Sequence, residues 1–270
     1  MANGQQKSLK SAINSDEFTR TAYKLSIVLG YDDYGNLILD DLSTAPHILM
    51  GGGAGSGKSV FIRNIIESLT SRLSFEEVKL ALFDLKMVEF GYAKTLPHLF
   101  EKVVTEWDEA VKMLGKLVDT MNERILTMES AGLTLHFDGN CTKDFDEYNL
   151  KTGAKIPHIV VIFDEYAELL TEIDKNVEKM VLALLERGHV AGIHLVIASQ
   201  RISDSIFTAD LLESVSSRAA FRTIEMSDMV LILGDPVDEK LQLRTGEMLY
   251  SSIVTDKKPK KINIPYGIRQ

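Results

Sequence analysis

Two rhythms of apolar residues alternate along this chain of 270 residues. Short unbroken runs break off at a polar or acidic residue: Pro46-His47-Ile48-Leu49-Met50 before a glycine-rich stretch, Val78 to Phe83 before Asp84, Ile159 to Phe163 before Asp164-Glu165, and Gly192 to Ala198 before Ser199-Gln200. Such runs predict strands buried on both faces, delivering a polar tip to one edge of a sheet. Between them, apolar residues recur every three or four positions, as in Val60, Phe61, Ile65, Ile66 and Leu69, in Ala110, Met113, Leu114, Leu117 and Met121, and in Val177, Met180, Val181, Leu184 and Leu185. Those spacings predict amphipathic helices. The alternation predicts an α/β domain with a mostly parallel central sheet and helices on both faces.

The flanks are less regular. Residues up to about Ser15 are polar and predict a flexible segment over 1–16, followed by a short helix from Glu17 to Leu25. Leu25 to Gly30 and Leu37 to Leu39, separated by the turn cluster Asp32-Asp33-Tyr34-Gly35-Asn36, predict a hairpin. Val103-Val104-Thr105 predicts a short strand, and Ser130 to Lys155, with its scattered glycines and mixed charges, a long loop. Arg218 to Thr223 predicts a strand, Met226 to Leu233 a helix, and Gly246 to Tyr250 the last strand. The main domain is therefore expected over residues 17–252, with Lys257-Lys258-Pro259-Lys260-Lys261 in a solvated basic tail over 253–270.

The polar tips carry the chemistry. Gly52-Gly53-Ala54-Gly55-Ser56-Gly57-Lys58-Ser59, running into Val60, has the spelling of a phosphate-binding loop. Glycines let successive backbone N–H groups converge on phosphate oxygens, and the helix that follows turns its positive dipole end toward them. Lys58 suits the β- and γ-phosphates as a mobile point charge, and the Ser59 hydroxyl suits Mg²⁺. Asp164, at the tip of a buried strand, is the second candidate Mg²⁺ ligand, and Glu165 the group that polarises an attacking water. Gln200 can orient that water and sense the γ-phosphate, or serve as a turn residue. His194, inside its strand, reads as a hydrogen-bonded core histidine. No histidine or cysteine pair has the spacing of a metal site, which leaves the nucleotide's Mg²⁺ as the expected metal. These tips together describe a nucleoside triphosphatase, and the absence of the guanine-reading spelling N-K-x-D favours ATP.

Composition alters this little. A net charge of -9 argues against a surface that binds nucleic acid all over, while leaving room for a local basic path. The single cysteine, Cys141, excludes an internal disulfide framework. No apolar run is long enough to span a membrane and no signal peptide is evident, so a soluble, cytoplasmic chain is expected.

From Glu17 to Tyr250 the sequence resembles the FtsK/SpoIIIE family of DNA-translocating motor ATPases. The likeness rests on Leu29-Gly30-Tyr31-Asp32 and Gly35, Pro46-His47-Ile48-Leu49, the phosphate loop, Asp84-Leu85-Lys86-Met87-Val88-Glu89, Leu96-Pro97-His98-Leu99, Val103-Val104-Thr105, Tyr148-Asn149 and Asp164-Glu165. Ala191-Gly192-Ile193-His194-Leu195 and Ala198-Ser199-Gln200-Arg201 complete it. It implies a RecA-like P-loop domain assembled as a homo-oligomeric ring of six, with ATP at subunit boundaries and double-stranded DNA as the moving partner. It also implies that Arg218 acts as an arginine finger in a neighbour's site, and it places Lys86 and Glu89 near the subunit junction. Leu85 and Ile202 stand where the family has prolines, His189 where it has arginine, and Met229-Val230 where it has a Ser-Arg pair. The family's membrane-spanning and winged-helix regions have no counterpart here, which implies an excised motor core or a short relative recruited to the inner face of the membrane by an anchored partner. A motor of a type VII-like secretion system acting on protein, and a nucleotide-gated assembly module, are the competing readings.

Overall fold

The apolar runs that end on polar tips form the parallel half of a nine-stranded sheet among the described residues. The computed structural model describes residues 7–137, 143–170, 175–223, 225–238 and 240–266; Cys141 lies outside them. The strands are β1 (Ser26–Tyr31), β2 (Leu37–Asp41), β3 (His47–Gly51), β4 (Val78–Phe83), β5 (His158–Phe163), β6 (Ile193–Ser199), β7 (Ser217–Phe221), β8 (Glu247–Ser251) and β9 (Lys260–Asn263), in the spatial order β2-β1-β9-β8-β7-β3-β6-β5-β4. The block β7-β3-β6-β5-β4 is parallel. Antiparallel pairing from β7 through β8, β9 and β1 to β2 extends it on one side. The free edge of β4 is covered by the segment after Leu96, through hydrogen bonds such as Leu80 N–H to His98 O and Val104 N–H to Leu82 O at 2.8 and 2.9 Å. Val103-Val104-Thr105 thus lies beside β4 by a single bridge at Val104.

Helices pack on both faces, as the periodicities require. They are α1 (Leu9–Ile13), α2 (Asp16–Thr19), α3 (Lys58–Arg72), α4 (Trp107–Ser130), α5 (Lys143–Thr152), α6 (Lys175–Arg187), α7 (Ala209–Glu213) and α8 (Met226–Leu233). On one face Phe61, Ile65 and Leu69 of α3 pack with Leu29, Ile48 and Leu82. On the other, Ala110, Met113 and Leu117 of α4 and Val181 and Leu184 of α6 pack with Phe163 and Leu195. Each fully buried large aliphatic or aromatic side chain contributes about 1.5–3 kcal/mol relative to exposure.

Four expectations need correction. From Lys7 to Ser15 the chain is not simply flexible: Leu9 and Ala12 of α1 are fully buried, and Leu9 N–H donates to Tyr266 O at 3.0 Å, while residues 1–6 lie outside the described residues. The next helix is only Asp16–Thr19, because Lys24 N–H and Leu25 N–H are drawn to the Asp41 carboxylate, which pulls the chain out of helical geometry. The expected loop from Ser130 to Lys155 contains α5, whose Phe145 is buried against Gly192; a Cβ on Gly192 would sit 2.6 Å from that ring. The basic tail contains a further strand, β9, with Ile262 fully buried, Lys260 3.6 Å from Asp32 and Lys261 3.2 Å from Glu247.

Buried histidines gather where the parallel strands begin. His47, His158, His189 and His194 are all at most 4% exposed, and His158 Nδ1 lies 3.1 Å from His194 Nε2. His194 is thus the hydrogen-bonded core histidine the sequence suggests. Burial depresses the pKa of each, that of His47 to about 3, although Asp146 opposes the effect at His158. Their folded pKa values lie below the unfolded value near 6.5, so the stability they allow is present above that value and lost as pH falls through it, by up to about 1.4 kcal/mol per histidine per pH unit. Asp164, pushed up to about 7, works in the opposite sense over the same range and offsets part of this loss, so the unfolding midpoint of the nucleotide-free protein should fall by roughly 5–15 °C between pH 7 and pH 5. Calorimetry of His47→Gln, whose amide can still accept from Leu195 N–H, should show a shallower fall.

Candidate nucleotide site

The loop 52–57 joins the end of β3 to α3 and is strapped down from both sides. Gly53 N–H donates to Arg222 O at 2.9 Å, just beyond β7, and Gly246 N–H donates to Ser56 O at 3.0 Å, just before β8. Both glycine ends are required by space: a Cβ on Gly52 would lie 2.5 Å from Phe221 Cβ, and one on Gly57, which has φ +119°, would lie 3.2 Å from Gly246 N. Ala54 and Gly55 are exposed at the loop's tip, Val60 points to solvent, and Ser59 is half-buried on the first turn of α3. The Ser56 hydroxyl is buried without a hydrogen-bond partner, an unmet polar group suited to a phosphate oxygen.

Lys58 occupies the cradle itself. Its Nζ donates to Gly52 O at 2.5 Å and Gly53 O at 2.9 Å. Burial lowers its pKa to about 8, against the opposing pull of Glu165 and Asp164. Across from it, β5 ends at the acid pair. Burial, then the charges of Glu89, Asp84 and Glu165, pushes Asp164 up to about 7. The carboxylate is reluctant to ionise because its surroundings are first dry and then rich in acids.

Because β6 lies between β3 and β5, its tip falls between the loop and the acids. Gln200 N–H donates to both oxygens of Glu165 at 3.1 and 3.0 Å, while the Gln200 side chain is exposed. Ser199, which the sequence reading left without a role, donates to Glu165 Oε1 at 2.5 Å. Lys86 reaches Glu165 Oε2 at 3.4 Å. Asp84 does deliver a charge to this edge, yet its carboxylate is spent on the N–H groups of Val88, Glu89 and Phe90, which shapes the loop carrying Lys86 and Glu89. Arg218 stands apart from this group: half-buried on β7, it donates to Leu212 O and lies against Gly234. Arg222 and Gly246 had no signal in the sequence because they act through backbone atoms.

A metal fits the donor set. Ser59 and Asp164 would hold Mg²⁺, which keeps several waters and takes its remaining ligands from phosphates. Accordingly, among the described residues no group of three or more His, Cys, Asp or Glu could hold a metal ion alone. A cavity of about 400 Å³ lined in part by Lys24, Glu77 and His158 lies at the opposite end of β5 and plays no part in this arrangement.

The model of the FtsK/SpoIIIE family matches residues 8–204. The chain belongs to the FtsK/SpoIIIE family. DNA translocase FtsK of Bacillus cereus is 37% identical over 253 residues, covering 92% of this chain and 31% of the relative. DNA translocase SpoIIIE of Bacillus subtilis is 36% identical over 257 residues, covering 93% and 32%. The chain therefore spans about a third of the length of these FtsK and SpoIIIE relatives. Among solved structures, the pCW3 conjugation coupling protein TcpA, in a monomer form with ATPγS, is 26% identical with a TM-score of 0.76 over 93% of this chain and 68% of that one. The cytoplasmic domain of the Thermomonospora curvata type VII secretion ATPase EccC, 21% identical over 97% of this chain and 32% of that one, has a TM-score of 0.78 and shares the fold. The fold is that of a P-loop ATPase. As in the sequence reading, no helix among the described residues is long and apolar enough to cross a membrane.

The strapping of the loop in this FtsK/SpoIIIE-family chain gives a direct test. Gly52→Ala forces a methyl group against Phe221 and should destabilise the fold by about 1–3 kcal/mol. It should weaken binding of a fluorescent ATP analogue more than tenfold, whereas Ala54→Gly, at the exposed tip, should leave both within twofold.

Proposed function

We propose that this chain is the ATP-hydrolysing core of a ring motor that moves double-stranded DNA, as in chromosome segregation or conjugative transfer. The observation that carries the reading is the convergence of Lys58, Asp164 and Glu165 on one sheet edge, with the tip of β6 between them. In this reading the N–H groups of Gly52 to Ser59 and the Lys58 ammonium bind the phosphates, with Val60 at the mouth. Ser59 and Asp164 hold Mg²⁺, which neutralises phosphate charge. Glu165 accepts a proton from the attacking water, and Gln200 orients that water.

Arg218 is engaged with Leu212 and not with its own chain's site, which suits an arginine presented to a neighbouring subunit. That neighbour makes the assembly a homo-oligomer, a ring of six in the family pattern. The chain works in the cytoplasm or at the inner face of the membrane, with a membrane-anchored partner or domain as its attachment. The DNA relatives at 37 and 36% identity favour a nucleic acid as cargo. The net charge of -9 favours, as a second reading, a protein cargo handled in the manner of a type VII secretion ATPase. A nucleotide-gated assembly module would need Lys58 but not Glu165.

Turnover of ATP measured with and without duplex DNA at low salt separates these readings. DNA should raise turnover several-fold, and the stimulation should fade steeply as salt rises; no stimulation and no salt-sensitive binding would refute the DNA motor. Lys58→Ala should abolish nucleotide binding, whereas Glu165→Gln should bind the nucleotide and lose about 10²–10⁴ in kcat. Arg218→Ala should lose about 10³ or more. Mixing Arg218→Ala with Lys58→Ala subunits, each inactive alone, should restore turnover, because some boundaries then pair an intact Lys58 with an intact Arg218. No recovery would refute the trans role.

A further inference from the structure

Three donors already surround the Glu165 carboxylate, and one of them, the Gln200 N–H, spans both of its oxygens. A carboxylate offers about four lone-pair directions. Here Oε1 faces Ser199 Oγ at 2.5 Å and Gln200 N at 3.1 Å, and Oε2 faces Gln200 N at 3.0 Å and Lys86 Nζ at 3.4 Å. With the Gln200 N–H shared between the two oxygens, Oε1 is held by Ser199 and Oε2 by Lys86, so a water about to attack competes with one of these two donors for its oxygen. Ser199 is fully buried and the Gln200 N–H belongs to the backbone. Lys86 makes the longest contact, on a side chain 38% exposed, and has a second acceptor within reach, Glu168 Oε1 at 3.7 Å. Arg201 pairs with that same Glu168 oxygen, so the alternative seat is held in place by the residue that follows Gln200.

We infer that Lys86 is a positioning residue that restrains Glu165 in the nucleotide-free protein, and that hydrolysis requires Lys86 to leave Oε2 while Ser199 keeps Oε1 fixed. This rests on the reading of Glu165 as the base. The restraint links the acid pair to the loop carrying Lys86 and, through Glu168, to Arg201, so that a ligand drawing Lys86 or Arg201 away frees the base. Ser199 has a single hydroxyl hydrogen and two acceptors, Glu165 Oε1 and Arg201 O at 2.7 Å; its bond to Glu165 is the one that aims the carboxylate.

Two measurements on the full chain test this. Lys86→Met, which keeps the stem and removes the charge, should raise kcat for ATP without DNA by about three- to fivefold at unchanged KM, as expected for loss of a half-exposed ion pair; Lys86→Arg should restore the low rate. An unchanged or lower kcat for Lys86→Met overturns the inference. Ser199→Ala should lower kcat at unchanged KM, with recovery in Ser199→Thr. The second measurement needs no turnover: unfolding midpoints of Lys86→Met, Glu165→Gln and the double variant should be non-additive without nucleotide and additive with Mg-ATPγS. Additive shifts without nucleotide overturn the restraint even if the protein hydrolyses ATP. Coupling in a wild-type protein that fails to hydrolyse ATP leaves the restraint standing and removes the hydrolytic reading instead.

Discussion

An imbalance of charge at one edge of the sheet governs this molecule. Asp84, Glu89, Asp164 and Glu165 act on one another there, and Lys58 and Lys86 are the cations that answer them. Parallel strands produce the concentration, because each apolar run must end on the same side before the chain crosses back. Burial strips water from these groups, which pushes Asp164 up to about 7, with the neighbouring acids adding to the effect, and Lys58 down to about 8 against the acids' pull. Such an edge is relieved by a ligand that brings its own cations, and a magnesium-bound polyphosphate does so while supplying anions for Lys58.

The rest of the fold maintains that edge. Helices on both faces bury the strands, and the antiparallel extension contributes at β8, whose preceding residue Gly246 ties down the phosphate loop. Tyr250 of β8 donates to the buried Asp40 of β2 at 2.7 Å, so the extension is joined by side chains as well as by its ladder. The wing is thereby part of the loop's support.

What the sequence revealed follows a physical boundary. The phosphate loop, the acid tip of β5 and the tip of β6 were legible because each is a contiguous pattern whose meaning is local. β9 was not, because Lys260 and Lys261 read as a solvated run until Asp32 and Glu247, far away in sequence, are seen to answer them. Nor was α5, whose few apolar residues include a Phe145 that gains its burial from Gly192. α1 was hidden for the same reason, since Leu9 finds its partner at Tyr266. Arg218 was legible as a strand residue, but its engagement with Leu212 depends on how α7 docks. Ser199 was passed over because a serine before a glutamine carries no chemistry until the carboxylate beside it is placed.

The meeting of Leu9 with Tyr266 also has a mechanical side. Ser8 and Tyr266 pair in parallel, and Asn64 of α3 donates to Pro265 O at 2.9 Å. The described chain therefore enters and leaves at one corner, beside the helix that begins at the phosphate loop. A tug between these two points would be borne by this corner clasp and by α3, while the parallel strands and their acid tips would stay out of the load path.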